Sequence, residues 1–351
     1  MIKHPTLTAA LASLFLSACS GEAPVPNSPT EPAAEILTIY SARHYDSDQT
    51  LYDAYEAQTG VTIEVREAKA DQLLETLKAE GANSPADLVI VSDAGALWRF
   101  KQAGLTRGVQ DNRLEALIPE PYRDADGHWF GLSRRIRLLA YDPTEHSPSD
   151  IAHWGQLASP ARAGEICVRS SSNIYNLSLM AEMIERIGPE AAESWARGVA
   201  ANMARNPQGG DTDQLRAVAA GQCSVAIVNH YYWVRLAQSA DTQDQEVARR
   251  TTLLVPEFGD GEGAHVNITG AAITASTDQV ARAADFLTFL LSSEGQRLLT
   301  VETKELPLTD QTDLAEGVET LPPFTPSQVP LRVLGENQAD AQRLFDLAGW
   351  N

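Results

Sequence analysis

The order of apolar and polar positions changes character several times along the chain, and each change marks an element. Ile36-Leu37-Thr38-Ile39-Tyr40 is a short apolar run of the kind a buried strand gives. A helix is predicted from near Asp46 to Asp48, with acidic residues in its first turn, and Gly60 stops it. Val61, Ile63 and Val65 alternate with polar residues and predict a half-buried strand. Leu73, Leu74 and Leu77 lie on one helical stripe that ends at Gly81. Leu88-Val89-Ile90-Val91 predicts a third strand, and a helix through Leu97 and Phe100 runs to Gly104. Three β-α units in succession mean an α/β domain with a mainly parallel sheet.

A second set begins after Ala140-Tyr141-Asp142. It predicts strands over 166–169 and 225–229 and helices over 177–187 and 191–202. The stretch 268–274 reads as a strand returning to the first sheet, covered by a helix over 280–291. Two α/β lobes, each a mainly parallel sheet flanked by helices, would form a hinged clamshell because the chain crosses between them more than once. Ligands in such sheets sit beyond the carboxyl ends of the strands, so those loops are where chemistry is expected. The lobes are expected at 36–133 plus 260–310 and at 134–259 plus 311–351.

The first residues follow a different pattern. Lys3 precedes a short, mostly apolar run over 8–17, which closes on Leu16-Ser17-Ala18-Cys19. A run this short cannot cross a bilayer of about 30 Å as a helix, so residues 1–18 read as an export signal. Small residues before a cysteine suit a lipoprotein-type signal peptidase, which would leave a diacylated Cys19 as the mature N-terminus. Residues 19–35 contain Pro24, Pro26, Pro29 and Pro32 among small polar residues. They read as an extended tether of roughly 50 Å at about 3.1 Å per residue. The expected location is the periplasm or cell envelope, with lipid chains holding the protein to the membrane and a monomer as its state.

The net charge of −20 argues against nucleic acid as a partner, because phosphate neutralisation needs an excess of Lys and Arg. Two cysteines remain beyond Cys19: Cys167 and Cys223, both on predicted strands. In an oxidising compartment a disulfide between them is the default, and two buried free thiols are the alternative. Neither has a partner at metal-ligand spacing.

Tyrosines concentrate just past strand ends. Tyr45 follows the first strand in Ser41-Ala42-Arg43-His44-Tyr45, and Tyr175 follows the Cys167 strand in Ser170-Ser171-Ser172-Asn173-Ile174-Tyr175. Tyr231 and Tyr232 follow the Cys223 strand in Val228-Asn229-His230-Tyr231-Tyr232. Neighbours on a strand point to opposite faces, so the adjacent pair can converge only where a strand has ended and a helix begins. Val234, Leu236 and Ala237 continue a helical pattern, which puts Arg235 one turn beyond the pair on the same face. A phenolate is a hard anionic donor suited to Fe(III), whereas softer ions prefer imidazole and thiolate. A free phenol titrates near pH 10, so binding must expel protons. A nearby guanidinium would offset the phenolate charge and lower the phenol pKa values. Arg135 and Arg137 share a strand face and are candidates beside Arg235; their ordinary alternative is surface salt bridging. His44 could complete the coordination sphere or be a polar loop residue. His230 is expected to turn away, and His128, His146, His153 and His265 show no ligand-type spacing.

The run Ile39-Tyr40-Ser41-Ala42-Arg43-His44-Tyr45 resembles the opening motif of the ferric-iron-binding proteins of bacterial ABC importers. Similar likeness is found in Gly81-Ala82-Asn83-Ser84-Pro85-Ala86-Asp87, in Trp129-Phe130-Gly131-Leu132, and in the stretches 169–176 and 229–235. A weaker echo follows in Ala348-Gly349-Trp350. The resemblance implies a two-lobed periplasmic-binding clamshell of type II with Fe(III) as transported ligand in the cleft, delivered to a permease and an ATPase without catalysis. It implies Tyr45, Tyr175, Tyr231 and Tyr232 as iron ligands, with His44 near the metal in some members and Arg135 and Arg235 behind the ligands. Glu305-Leu306-Pro307 departs from the pattern, because many relatives have an aromatic before that proline; it stands away from the ligand motifs in the sequence. The competing readings are a same-fold binding protein for an anion, a polyamine or an iron chelate, and an envelope enzyme. The chain has no Gly-x-Ser-x-Gly elbow and no His-Glu-x-x-His pair to favour the enzyme.

Overall fold

The computed structural model describes residues 35–43, 45–259, 263–308 and 312–350. The export signal, Cys19, nearly all of the tether and His44 lie outside the described residues. Nine strands are present among the described residues: β1 (Ile36–Ser41), β2 (Thr62–Glu67), β3 (Leu88–Val91), β4 (Phe130–Tyr141), β5 (Ile166–Cys167), β6 (Val225–Asn229), β7 (Thr252–Leu254), β8 (Val266–Ile273) and β9 (Leu306–Pro307). Their order is β2-β1-β3-β8-β4-β6-β5, with β7 and β9 also paired to β4.

The β-α units read from the pattern form the first part of this sheet. β1 runs parallel to β2 and β3, and the helices Asp48–Thr59 and Ala70–Glu80 make the crossovers that parallel neighbours need. Gly60 ends the first helix at φ 75, a conformation that costs glycine no Cβ clash. β5 and β6 are likewise parallel. β4 and β8 are not: β8 runs antiparallel to both β3 and β4, and β4 antiparallel to β6. These are the strands that carry the chain from one part of the sheet to the other, so no crossover helix sets their direction.

β4 was not legible as one element, because Ser133, Arg134, Arg135 and Arg137 interrupt its apolar run. Its first half, through Ile136, pairs with β8; from Arg137 onward it pairs with β6. Twelve residues therefore serve both parts of the sheet. All but Arg134 are buried, as expected of a central strand covered on both faces. β2, by contrast, is an edge strand, and its Val65 is more exposed than the predicted alternation implied. β5 is two residues long, half the predicted strand, because Val168 and Arg169 already lead into the serine-rich loop.

Two apolar clusters fill the interior. One gathers Leu37, Ile39, Val89, Leu97 and Phe286. The other gathers Leu139, Trp154, Trp195, Phe345 and Trp350. The Trp350 indole N–H also donates to the Arg169 carbonyl at 3.1 Å, tying the C-terminal end to the loop ahead of Tyr175. Cys167 and Cys223 are joined by a disulfide with Cα atoms 5.8 Å apart. It links the two chain segments that lead into Tyr175 and into Tyr231.

Candidate metal centre

Each tyrosine is positioned by a helix start. Tyr45 lies between β1 and the helix Asp48–Thr59, and its carbonyl accepts from the Asp48 N–H at 3.0 Å. Tyr175 is the second residue of the helix Ile174–Ile187, whose cap Asn173 accepts from the Tyr175 N–H at 3.1 Å. Tyr231 and Tyr232 open the helix His230–Ala237, which begins directly after β6. That transition lets adjacent side chains converge, and their rings are 4.4 Å apart between centroids.

The Tyr231 hydroxyl donates to the Tyr175 hydroxyl at 3.2 Å and accepts from the Asn229 side chain at 3.2 Å. The Arg235 guanidinium lies 4.9 Å from both the Tyr231 and Tyr232 ring centroids and 5.5 Å from that of Tyr45. Three of the predicted tyrosines thus lie against one cation, and the fourth, Tyr175, joins them through the Tyr231 hydroxyl. Tyr45, Tyr175 and Tyr232 line a cavity of about 850 Å³ together with Arg43, Arg169 and Arg235. Tyr231 is fully buried behind them.

Arg135 and Arg137 are each 1% exposed, so neither is a surface salt bridge. Arg137 pairs with Asp211 at 2.8 Å and donates to the Asn176 side chain at 2.7 Å. Arg135 faces the rings of Tyr175 and Tyr231 at 5.8 and 6.0 Å, donates to Thr269 and stands 3.6 Å from Glu305. Arg43 makes a two-point pair with Asp48 at 2.8 and 3.0 Å and lies 5.0 Å from the Tyr45 ring. Burial by itself lowers the Arg43 pKa, but Asp48 and Glu305 outweigh it and raise the group above its ordinary value.

At Tyr45, Tyr175 and Tyr231 the guanidiniums do not bring the phenol pKa values below the ordinary range. Burial raises Tyr175 to about 12, with Tyr232 adding to the rise and Arg135 opposing it. Burial also raises Tyr45, assisted by Glu305 and Tyr175 against Arg235 and Arg43. Tyr231 is pushed well above 10, by burial first and then by the other three phenols. At Tyr45, Tyr175 and Tyr231 desolvation exceeds the cationic stabilisation, and these three are protonated at neutral pH until something replaces the protons.

His230 turns away as expected. Its Nδ1 accepts from the Ile136 N–H at 3.2 Å, and its Nε2 donates to the Lys304 carbonyl at 3.0 Å. Both nitrogens are occupied, and burial lowers the imidazole to about 4. Among the described residues no three His, Cys, Asp or Glu side chains converge to hold a metal ion. The phenols are the oxygen set that does converge.

Two important residues escaped the sequence reading. Asp211, fully buried, accepts from Arg137, from Arg169 at 3.3 Å and from the Asn229 N–H at 2.7 Å. It thereby braces the segments before Tyr175 and before Tyr231, and nothing in its local pattern marks it. Glu305 was noted only as a departure remote from the ligand motifs. In the fold it is buried beneath them, and although burial alone would raise its carboxyl, Arg135 and Arg43 hold it below the ordinary range.

The profile of the bacterial extracellular solute-binding protein family matches residues 83–338. The chain belongs to this family. As a solute-binding protein it is 39% identical to iron uptake protein A2 of Synechocystis sp., over 93% of this chain and 94% of that one. The solved structure of Trichodesmium FutA in complex with iron and citrate superposes with a TM-score of 0.86 at 39% identity, covering 90% of this chain and all of that one. The ferric binding protein from Campylobacter jejuni superposes at 0.85 with 37% identity, covering 90% and 100%. The fold is accordingly that of the type II periplasmic binding proteins, and the relatives are substrate-binding proteins rather than enzymes.

Proposed function

We propose that this solute-binding protein captures Fe(III) through Tyr45, Tyr175, Tyr231 and Tyr232 in a cleft between its two lobes and delivers it to an ABC permease and its ATPase. The lobes are those drawn from the sequence, 36–133 plus 260–310 and 134–259 plus 311–351. Cys19 is the lipid attachment site, which keeps the protein at the membrane outside the cytoplasm.

The observation that carries this reading is the convergence of four phenols from three separate chain segments, three of them against the Arg235 guanidinium and the fourth, Tyr175, joined to Tyr231 through its hydroxyl. Core packing alone gives no reason to gather four phenol hydroxyls in and behind one cavity. A trivalent cation gives one: it replaces the protons, and three or four phenolates leave the site near neutral or slightly negative. Arg235 and Arg135 then lie against the excess negative charge. His44, when its imidazole is neutral, is the candidate for a further position.

Ferric phenolates absorb visible light by charge transfer. The soluble form, cut after Cys19, is expected to colour on adding ferric iron at pH 7, near one ion per chain. Changing either Tyr231 or Tyr232 to Phe should bleach or weaken the band. Unchanged colour and affinity in both variants would overturn the assignment. A second reading, an iron chelate as cargo, draws on the cavity: it is larger than a bare ion, and Ser170, Ser172 and Arg169 on its wall suit a carboxylate. Comparing spectra with ferric iron alone and with a ferric carboxylate separates the two.

A further inference from the structure

Lys304 holds φ 59, the left-handed region that non-glycine residues rarely adopt. The turn has two consequences. It aims the Lys304 carbonyl at His230, and it sends the next side chain, Glu305, into the interior, where it is 0% exposed. There Glu305 accepts from the hydroxyls of Ser133 and of Thr269, the latter at 2.9 Å. It stands 3.6 Å from an Arg135 nitrogen and 3.8 Å from an Arg43 nitrogen.

Both guanidiniums lie against tyrosine rings, Arg43 5.0 Å from that of Tyr45 and Arg135 5.8 and 6.0 Å from those of Tyr175 and Tyr231. Asp48 engages Arg43 with both oxygens but does not reach Arg135. Glu305 is the carboxylate that the two cations share. Arg135 Nε and Nη1 and Glu305 Oε1 are buried without a hydrogen-bond partner. At 3.6 and 3.8 Å the attraction between Glu305 and the two arginines is therefore one of charge rather than of hydrogen bonds.

We propose that Glu305 is a positioning residue for the tyrosine site, tying Arg43 and Arg135 beside the phenols and withholding part of their charge from the phenolates. It rests on the ferric reading above. Replacing the carboxylate by a neutral amide leaves Arg135 facing the phenolates with its charge uncompensated. A stronger positive potential stabilises the phenolate lone pairs, so promoting an electron from them to iron takes more energy.

Glu305→Gln is therefore expected to move the charge-transfer band to shorter wavelength and to slow iron loss to excess EDTA by roughly three- to tenfold. Glu305→Asp keeps the charge but draws it back by a methylene, and should move both readouts less, in the same direction. Melting of the iron-free proteins reports folding separately. A colourless wild type would overturn the ferric reading and this proposal with it. A coloured wild type and a folded Glu305→Gln with the same band overturn this proposal alone, whatever happens to the melting temperature. Should Glu305→Gln fail to fold, Glu305→Asp decides by the same two readouts, and an unmoved band again overturns it.

Discussion

The hydroxyl of Tyr231 lies 3.2 Å from that of Tyr175, although 56 residues separate them. The contact joins two helix starts whose preceding segments, β5 and the residues just ahead of β6, are stapled by the Cys167–Cys223 disulfide; Cys223, expected on a strand, lies just before one. Two phenols this close cannot both ionise easily, and burial raises both. A high positive charge between them reverses that preference.

Iron uptake should release protons. The folded-state pKa values of Tyr45, Tyr175 and Tyr231 lie above the free value, so these groups are protonated at pH 7 and must be stripped when metal binds. Affinity should rise with pH and fall in acid. A pH-stat titration with ferric iron is expected to record about three to four protons per ion bound, corrected for metal hydrolysis. Binding with no proton release would contradict phenolate ligation.

His230 makes the iron-free protein sensitive to mild acid. Its folded pKa is about 4, depressed from 6.5 by burial. The unfolded chain therefore takes up a proton first, and stability should fall as pH drops from 6.5 towards 4. The full loss is about 3 kcal/mol. Thermal melts across this range should show the decline, and a His230→Gln variant that still folds should flatten it.

Removing the Asp211 carboxylate strands the buried Arg137 and takes a partner from the partly exposed Arg169. Arg137 is 1% exposed and Arg169 draws on the same carboxylate. Asp211→Ala should cost about 3–5 kcal/mol in denaturant unfolding, the range for breaking a buried pair from one side. The variant should also bind iron more weakly, because Asn229 loses its backbone anchor next to Tyr231.

Eliminating the disulfide by changing Cys167 and Cys223 together to Ser should lower stability by roughly 4 kcal/mol in the chain-entropy model. Chemical denaturation of oxidised wild type against the double variant measures this. Equal stability would mean that the closed loop is already constrained in the unfolded chain.

The local elements were legible because their signals are local. Apolar periodicity and stop glycines placed the helices Asp48–Thr59 and Ala70–Glu80 and the strands β1, β3 and β6 to within a few residues. The helix start at His230 was readable too, since two adjacent tyrosines can converge only off a strand. Of β4 only the stretch with Arg135 and Arg137 read as strand; its full length was hidden because a strand buried on both faces shows no alternation and its arginines mimic a polar surface.

By itself the sequence determined which segments become strand or helix and which loops carry phenols. These depend on backbone preference and side-chain spacing, which act over a few residues. Only the tertiary structure decided that Glu305 lies beneath Tyr45 and Tyr175 rather than far from them, that Asp211 anchors Arg137 and Arg169, and that desolvation outweighs the arginines at the phenols. Burial and charge pairing are properties of the packed interior. They arise between residues brought together from distant parts of the chain, and no window of sequence contains them.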